Sequence, residues 1–212
     1  MIKKNLHGMN QFLDDYPGMS IAPCRGMDLQ LKGKFDFEGT IADGPKIVDS
    51  YFLKIAVPRK FPRALPNVEE TAGKIPRDGN HHVNLDGSLC LGSPFRLLKQ
   101  IYKKSDLSGF AEMCIVPYLY SISHKIKNGG DFPFGDLVHG EQGIIDDYLE
   151  LFDLKERFQV TEAIRLLGIK KRIANKQDCP CGCGQRLGAC QFRIKLNEFR
   201  NMAPVSWFKA HS

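Results

Sequence analysis

Two groups of residues in this 212-residue chain have the types and spacing to do chemistry. The first is His81-His82-Val83-Asn84-Leu85-Asp86-Gly87-Ser88-Leu89-Cys90-Leu91. It sets one cysteine between two leucines, just after an Asp-Gly turn, with an asparagine and two histidines upstream. A nucleophilic thiol needs an accessible sulfur, a fixed backbone and a polar group able to stabilise an oxyanion. Cys90 offers the sulfur and Asp86-Gly87 the turn. The Asn84 amide could either face a developing oxyanion or pin the loop to its own backbone. His81 and His82 titrate near neutral pH and could assist proton removal. Without the upstream residues, a lone cysteine between leucines also fits an inert, buried strand end.

The second group is Cys179-Pro180-Cys181-Gly182-Cys183-Gly184 with Cys190. The chain has seven cysteines, four of them within twelve residues. Such crowding suits a metal site in a reducing compartment better than a disulfide framework.

These groups must be positioned by secondary structure. Leu6, Met9, Phe12 and Leu13 recur at helical spacing over residues 3–15, and Tyr16-Pro17-Gly18 ends that helix. Leu29, Leu31, Phe35 and Phe37 alternate with Asp28, Gln30, Lys32, Lys34, Asp36 and Glu38, the pattern of a half-buried antiparallel strand. Ala42-Asp43-Gly44-Pro45 makes a turn, and Tyr51, Leu53, Ile55 and Val57 form a second strand closed by Pro58. Val68 to Thr71 is expected as a third, short strand, followed by a flap from Lys74 that delivers the Cys90 segment. Phe95, Leu97, Leu98 and Ile101 predict a short helix after a Gly-Ser-Pro break. Leu107, Phe110, Ala111, Cys114, Tyr118, Leu119 and Ile122 share one helical stripe that assigns Cys114 to the core. Pro117 interrupts that stripe and predicts a kink or a restart, since a mid-helix proline costs about 3 kcal/mol. Further helices are expected at Ile144 to Phe152 and from about Thr161.

Composition is that of an ordinary globular protein, 42% apolar and 25% charged. No apolar run approaches the roughly 18 residues of a membrane-spanning helix, and no signal-peptide core follows Met1-Ile2-Lys3-Lys4. The expectation is a soluble, cytoplasmic protein with no membrane association. The net charge of +6 is uneven. Residues 1–154 carry 18 Lys/Arg against 20 Asp/Glu, whereas residues 155–212 carry 12 against 4. A basic tail can meet an acidic partner, and a solvated face is the commoner reason for one. Nucleic acid is disfavoured, because no aromatic array interleaves with the cations for base stacking.

The Cys90 segment resembles the active-site region of ubiquitin-conjugating enzymes, where a His-Pro-Asn tripeptide precedes a Gly-x-(Ile/Leu)-Cys-Leu run. Here the tripeptide reads His82-Val83-Asn84 and the run Gly87-Ser88-Leu89-Cys90-Leu91. Valine stands in place of proline, and the Asn-to-Cys gap is shorter, as in divergent bacterial branches, some of which occur in antiphage defence operons. Met19 to Arg25 resembles the loop between the family's first helix and first strand, with Cys24 a structural residue. Phe61 to Val68 resembles its proline-spaced approach to the next strand. The resemblance implies an α+β ubiquitin-conjugating fold, an antiparallel meander flanked by helices, over residues 1–155. Residues 156–212 form a helical, basic extension. The implied activity is thioester transfer. Cys90 would take a ubiquitin-like protein from an activating enzyme and pass it to an amine of a target protein, such as an immune nucleotidyltransferase, with Asn84 and His82 assisting.

The cysteine cluster resembles the zinc-binding SEC-C motif, a Cys-Pro-Cys-Gly start followed by basic residues and a closing Cys-Cys or Cys-His. Cys179, Cys181 and Cys190 match it. Gln191 stands where the fourth ligand is usual, and Cys183 is the substitute, which implies a structural Zn2+. At its simplest the knuckle staples a peptide too short for its own core. As a docking module it would use Arg186, Arg193, Lys195 and Arg200. Two further alternatives keep other chemistry: a non-catalytic scaffold of the same fold, or a cysteine hydrolase pairing Cys90 with His139 or His82.

Overall fold

The computed structural model describes residues 6–23, 29–40, 44–129 and 140–211. The expected first-helix residues 3–5, Cys24, Arg25, most of the turn at 42–45 and His139 lie outside them in whole or in part. The protein is α+β, divided into two compact units, Met1–Leu137 and Val138–Ser212. Among the described residues, no helix is long and apolar enough to cross a membrane.

The first unit is built on a four-stranded antiparallel sheet in the order β1 (Met19–Ala22), β2 (Leu29–Gly39), β3 (Ile47–Val57) and β4 (Asn67–Glu70). Period-two alternation decides its faces. Leu31, Phe35 and Phe37 of β2 and Tyr51, Leu53, Ile55 and Val57 of β3 are buried, while Lys32, Lys34, Asp36 and Glu38 are exposed. On the outer face Lys54 pairs with its cross-strand partner Glu69 at 3.1 Å. Met19–Ala22 corrects the loop expected there. Four residues are too few to announce a period of two, and pairing with Gln30 to Gly33 of β2 creates the strand.

Helices cover the inner face. α1 (Met9–Asp15) buries Met9 and Phe12, and Tyr16 stacks on Phe35 at 4.2 Å. α2 (Pro94–Lys103) starts as its sequence dictates, with the Ser93 side chain accepting the Arg96 N–H and Pro94 in the first turn. α3 (Leu107–Phe110) runs into one π-turn, Ala111–Ile115, before α4 (Val116–Asn128). The break expected at Pro117 is therefore a restart. The proline occupies the first turn of the new helix, where its missing N–H costs nothing. Cys114 is buried as expected, and burial pushes its thiol up to about 12.

A polar pillar ties the flap to this core. The Ser123 hydroxyl on α4 lies 2.7 Å from the Tyr51 hydroxyl and donates to Asp49 at 2.9 Å. Lys74 donates to the other Asp49 oxygen at 2.5 Å, and its ammonium lies 4.1 Å from the centre of the Tyr51 ring. The buried Glu70 carboxylate accepts the Ala72 and Lys74 N–H groups, fixing the turn that carries Lys74.

The second unit has its own core. α5 (Gly140–Phe152), α6 (Arg157–Leu167), α7 (Lys171–Ala174), α8 (Phe192–Met202) and α9 (Val205–Ala210) bury Phe152, Leu167, Phe199 and Phe208. This corrects the expectation that the cysteine cluster staples a coreless peptide. α8 and α9 were not read from the sequence, although Leu196, Phe199 and Met202 of α8 stand at helical spacing; α9, six residues long, is too short to show a period.

The Asp49 pillar generates a pH prediction. Burial raises the Asp49 carboxyl, but hydrogen bonds from Lys74, the Ser50 N–H and Ser123 outweigh it and hold the group below its ordinary 3.8. A carboxyl lowered in the folded state stabilises above its unfolded value and loses that contribution as pH falls through the folded one. Unfolding midpoints in urea should therefore fall between about pH 5 and pH 2, and Asp49→Asn should flatten that fall while lowering stability at pH 7.

Candidate functional site

The segment around Cys90 folds into a tight hairpin. The Gly87 N–H donates to the Asn84 carbonyl at 2.9 Å, closing a turn in which Gly87 has φ +84°, a conformation glycine takes without a steric penalty. The Asn84 N–H donates to the Ser88 carbonyl at 2.8 Å, and Val83 faces Leu89 as an antiparallel bridge. The hairpin is then joined to the sheet edge: Ser88 bridges Glu69, and the Leu89 N–H donates to the Val68 carbonyl of β4 at 2.7 Å. Along this extension Ser88 and Leu89 are both buried, and Cys90 just beyond them is partly exposed.

Ser88 is the hub of the hairpin. Its buried hydroxyl donates to Asp86 at 2.6 Å and accepts the Asn84 side-chain amide at 2.9 Å, while its N–H also donates to Asp86. The Ser88 hydroxyl and N–H bonds hold the exposed Asp86 carboxyl below its usual range. Asn84 is itself exposed. Its amide ties the loop through the Ser88 hydroxyl, not through the backbone as foreseen. Ser88 was missed as a site residue; its place in an Asp-x-Ser turn was the available signal.

The two histidines sit behind the cysteine. The His82 carbonyl accepts the Cys90 N–H at 2.8 Å, and His82 has φ +52°. The His81 ring pairs through Nδ1 with Asp78 at 2.7 Å.

In the second unit, Cys179, Cys181, Cys183 and Cys190 bring their sulfurs within 4.8 Å of one another and could hold a metal ion. Four thiolates around one ion at 2.3 Å lie about 3.8 Å apart, close to the 3.6 Å between Cys181 and Cys190. The tight Cys-x-Cys-x-Cys run converges because Gly182 and Gly184 take φ +81° and +72°, reversing the chain at both steps. Burial pushes the Cys179 and Cys181 thiols up, a penalty that a bound cation reverses, whereas the Gln185 N–H lowers Cys183. The cations foreseen for docking divide. Lys195 donates to the Phe152 carbonyl at 2.7 Å and Arg200 to that of Leu166 at 2.6 Å, so these two serve the C-terminal ends of α5 and α6. Arg193 bonds the Gly188 carbonyl, and Arg186 stays exposed.

Two outcomes follow from these networks. Ser88→Ala should cost about 1–2 kcal/mol in chemical denaturation and speed amide exchange at Asn84, because it removes the acceptor of one bond and the donor of another. The purified chain should bind one Zn2+ per molecule by atomic absorption, and Cys181→Ser should release it and lower the melting temperature.

No protein-family model matches this chain, and neither curated proteins nor solved structures yield a match.

Proposed function

We propose that the first unit is an acyl carrier of the ubiquitin-conjugating type, with Cys90 as the carrier thiol. The observation that carries the reading is Cys90, a partly exposed residue presented by a hairpin bonded to the sheet edge. Cys114, sealed in the core with its thiol pushed up, marks what an inert cysteine looks like in the same unit. The meander order and the helix that precedes it fit the ubiquitin-conjugating fold.

In this reading the Cys90 thiolate attacks the thioester carbonyl of a ubiquitin-like protein held by an activating enzyme. A new C–S bond forms, the old one breaks, and the donor thiolate leaves. A target amine then attacks the same carbonyl, the tetrahedral oxyanion collapses, Cys90 departs as thiolate, and the amine proton passes to solvent or a nearby base. A thioester is already activated, so the carrier's task is positioning and oxyanion stabilisation. Such chemistry asks less of a base than a cysteine hydrolase does, which needs a thiol–imidazole pair to generate its nucleophile. Asn84 orders the hairpin beside the carbonyl, and His82 supplies the carbonyl that orients Cys90. The target could be an immune nucleotidyltransferase in an antiphage operon. The four-cysteine site suits Zn2+, whose preference for tetrahedral thiolates matches the donor set, in a structural role.

The test mixes the protein with a candidate activating enzyme, a ubiquitin-like protein and ATP, followed by a non-reducing gel. A thiol-labile adduct should form on the wild type and vanish in Cys90→Ala. Cleavage of peptide or isopeptide bonds without any adduct would favour the hydrolase instead, and neither activity would favour the scaffold.

A further inference from the structure

Tyr118 stands on α4, outside the hairpin, with only 8% of its surface exposed. Its hydroxyl donates to the His81 carbonyl at 2.9 Å and lies 3.4 Å from the His82 carbonyl. The second oxygen is the one that accepts the Cys90 N–H. A single phenol thus grips both peptide oxygens of the turn from which the cysteine backbone hangs. His82 sits at φ +52°, which a residue with a β-carbon keeps only when its surroundings impose it. Tyr118 is part of that imposition.

The phenol is suited to the task. Burial pushes its hydroxyl far above the ordinary tyrosine range, and a negative charge on Cys90 pushes it further, so it stays a donor at every working pH. The π-turn before α4 contributes as well, because it ends at Ile115, three residues before Tyr118. π-turns shift the register of the residues that follow, and they recur at functional sites.

We propose that Tyr118 is a positioning residue for acyl transfer from Cys90, acting through the His81 and His82 carbonyls. The proposal rests on the carrier role of Cys90, and the experiment separates the two. The full chain is loaded with N-acetylglycine thiobenzyl ester. The Cys90 thiolate attacks the carbonyl, its C–S bond forms, and benzyl thiolate leaves. Free lysine then displaces Cys90 as thiolate, forming an amide and losing its proton to buffer. Intact mass spectrometry follows loading and discharge, with Cys90→Ala reporting acylation elsewhere.

Wild type should discharge at least about tenfold faster than the same acyl group on N-acetylcysteine. Tyr118→Phe should load to the wild-type extent and discharge about tenfold slower. p-Aminophenylalanine at 118, which returns a donor to the same place on the ring, should restore most of the loss. Equal discharge from wild type and Tyr118→Phe overturns the proposal, as does a loss that p-aminophenylalanine fails to recover. Should Tyr118→Phe not fold, the p-aminophenylalanine protein alone decides, since discharge far below wild type then counts against the proposal. A wild type no faster than N-acetylcysteine overturns the carrier reading and the role of Tyr118 with it.

Discussion

The hydrogen bond from the Leu89 N–H to the Val68 carbonyl sets the register of the whole candidate site. That bond holds the buried pair Ser88 and Leu89 against β4 and leaves Cys90, partly exposed, just beyond the paired residues. The rest of the first unit can be understood as support for this register. The sheet gives Val68 a fixed place, Lys54–Glu69 and the ladder to β3 hold β4, and the Asp49–Lys74–Tyr51–Ser123 pillar anchors the flap leading into the hairpin.

Inside the hairpin, order comes from short-range bonds. Asp86, Ser88 and Asn84 close the tip, and the turn at His81-His82 is held from behind by α4. With the tip spanning only Asn84 to Gly87, the asparagine amide falls naturally onto Ser88, its fourth neighbour. The short Asn-to-Cys gap noted in the sequence therefore has a structural counterpart: a compact turn in which the amide is tied to the loop's own hydroxyl. A proposed carrier of this kind relies on a rigid backbone more than on a charged acid–base pair, in keeping with a substrate that arrives activated.

The second unit solves a different problem with some of the same devices. Its helices end on carbonyls that Lys195 and Arg200 satisfy, so part of the basic excess of residues 155–212 is consumed internally. The cysteine cluster closes on itself through two glycines in the left-handed region and is joined to the helices by the Leu187 and Gly188 amides bonding back to Gln177 and Asn175. Placed on a unit with its own apolar core, a metal there would reinforce a fold that already has apolar support.

Much of this was legible in advance. Strict alternation announced β2 and β3, Ser93-Pro94 announced the start of α2, and Pro117 announced a break, because each is a local rule that neighbouring residues alone enforce. Crowded cysteines announced a common centre, and the Cys90 segment stood out by residue type and spacing. Local rules could not reveal β1, which exists because β2 lies beside it, or the six-residue α9, too short to show a period. They could not say that Lys195 and Arg200 turn inward, that Ser88 is the hub of the hairpin, or that Tyr118 reaches the cysteine turn from α4. Those facts depend on contacts between residues distant in the chain. The sequence by itself determined which atoms could react and which could bind a metal; the tertiary structure alone decided which way they face, because facing is a matter of register and packing, and neither is written in any single stretch.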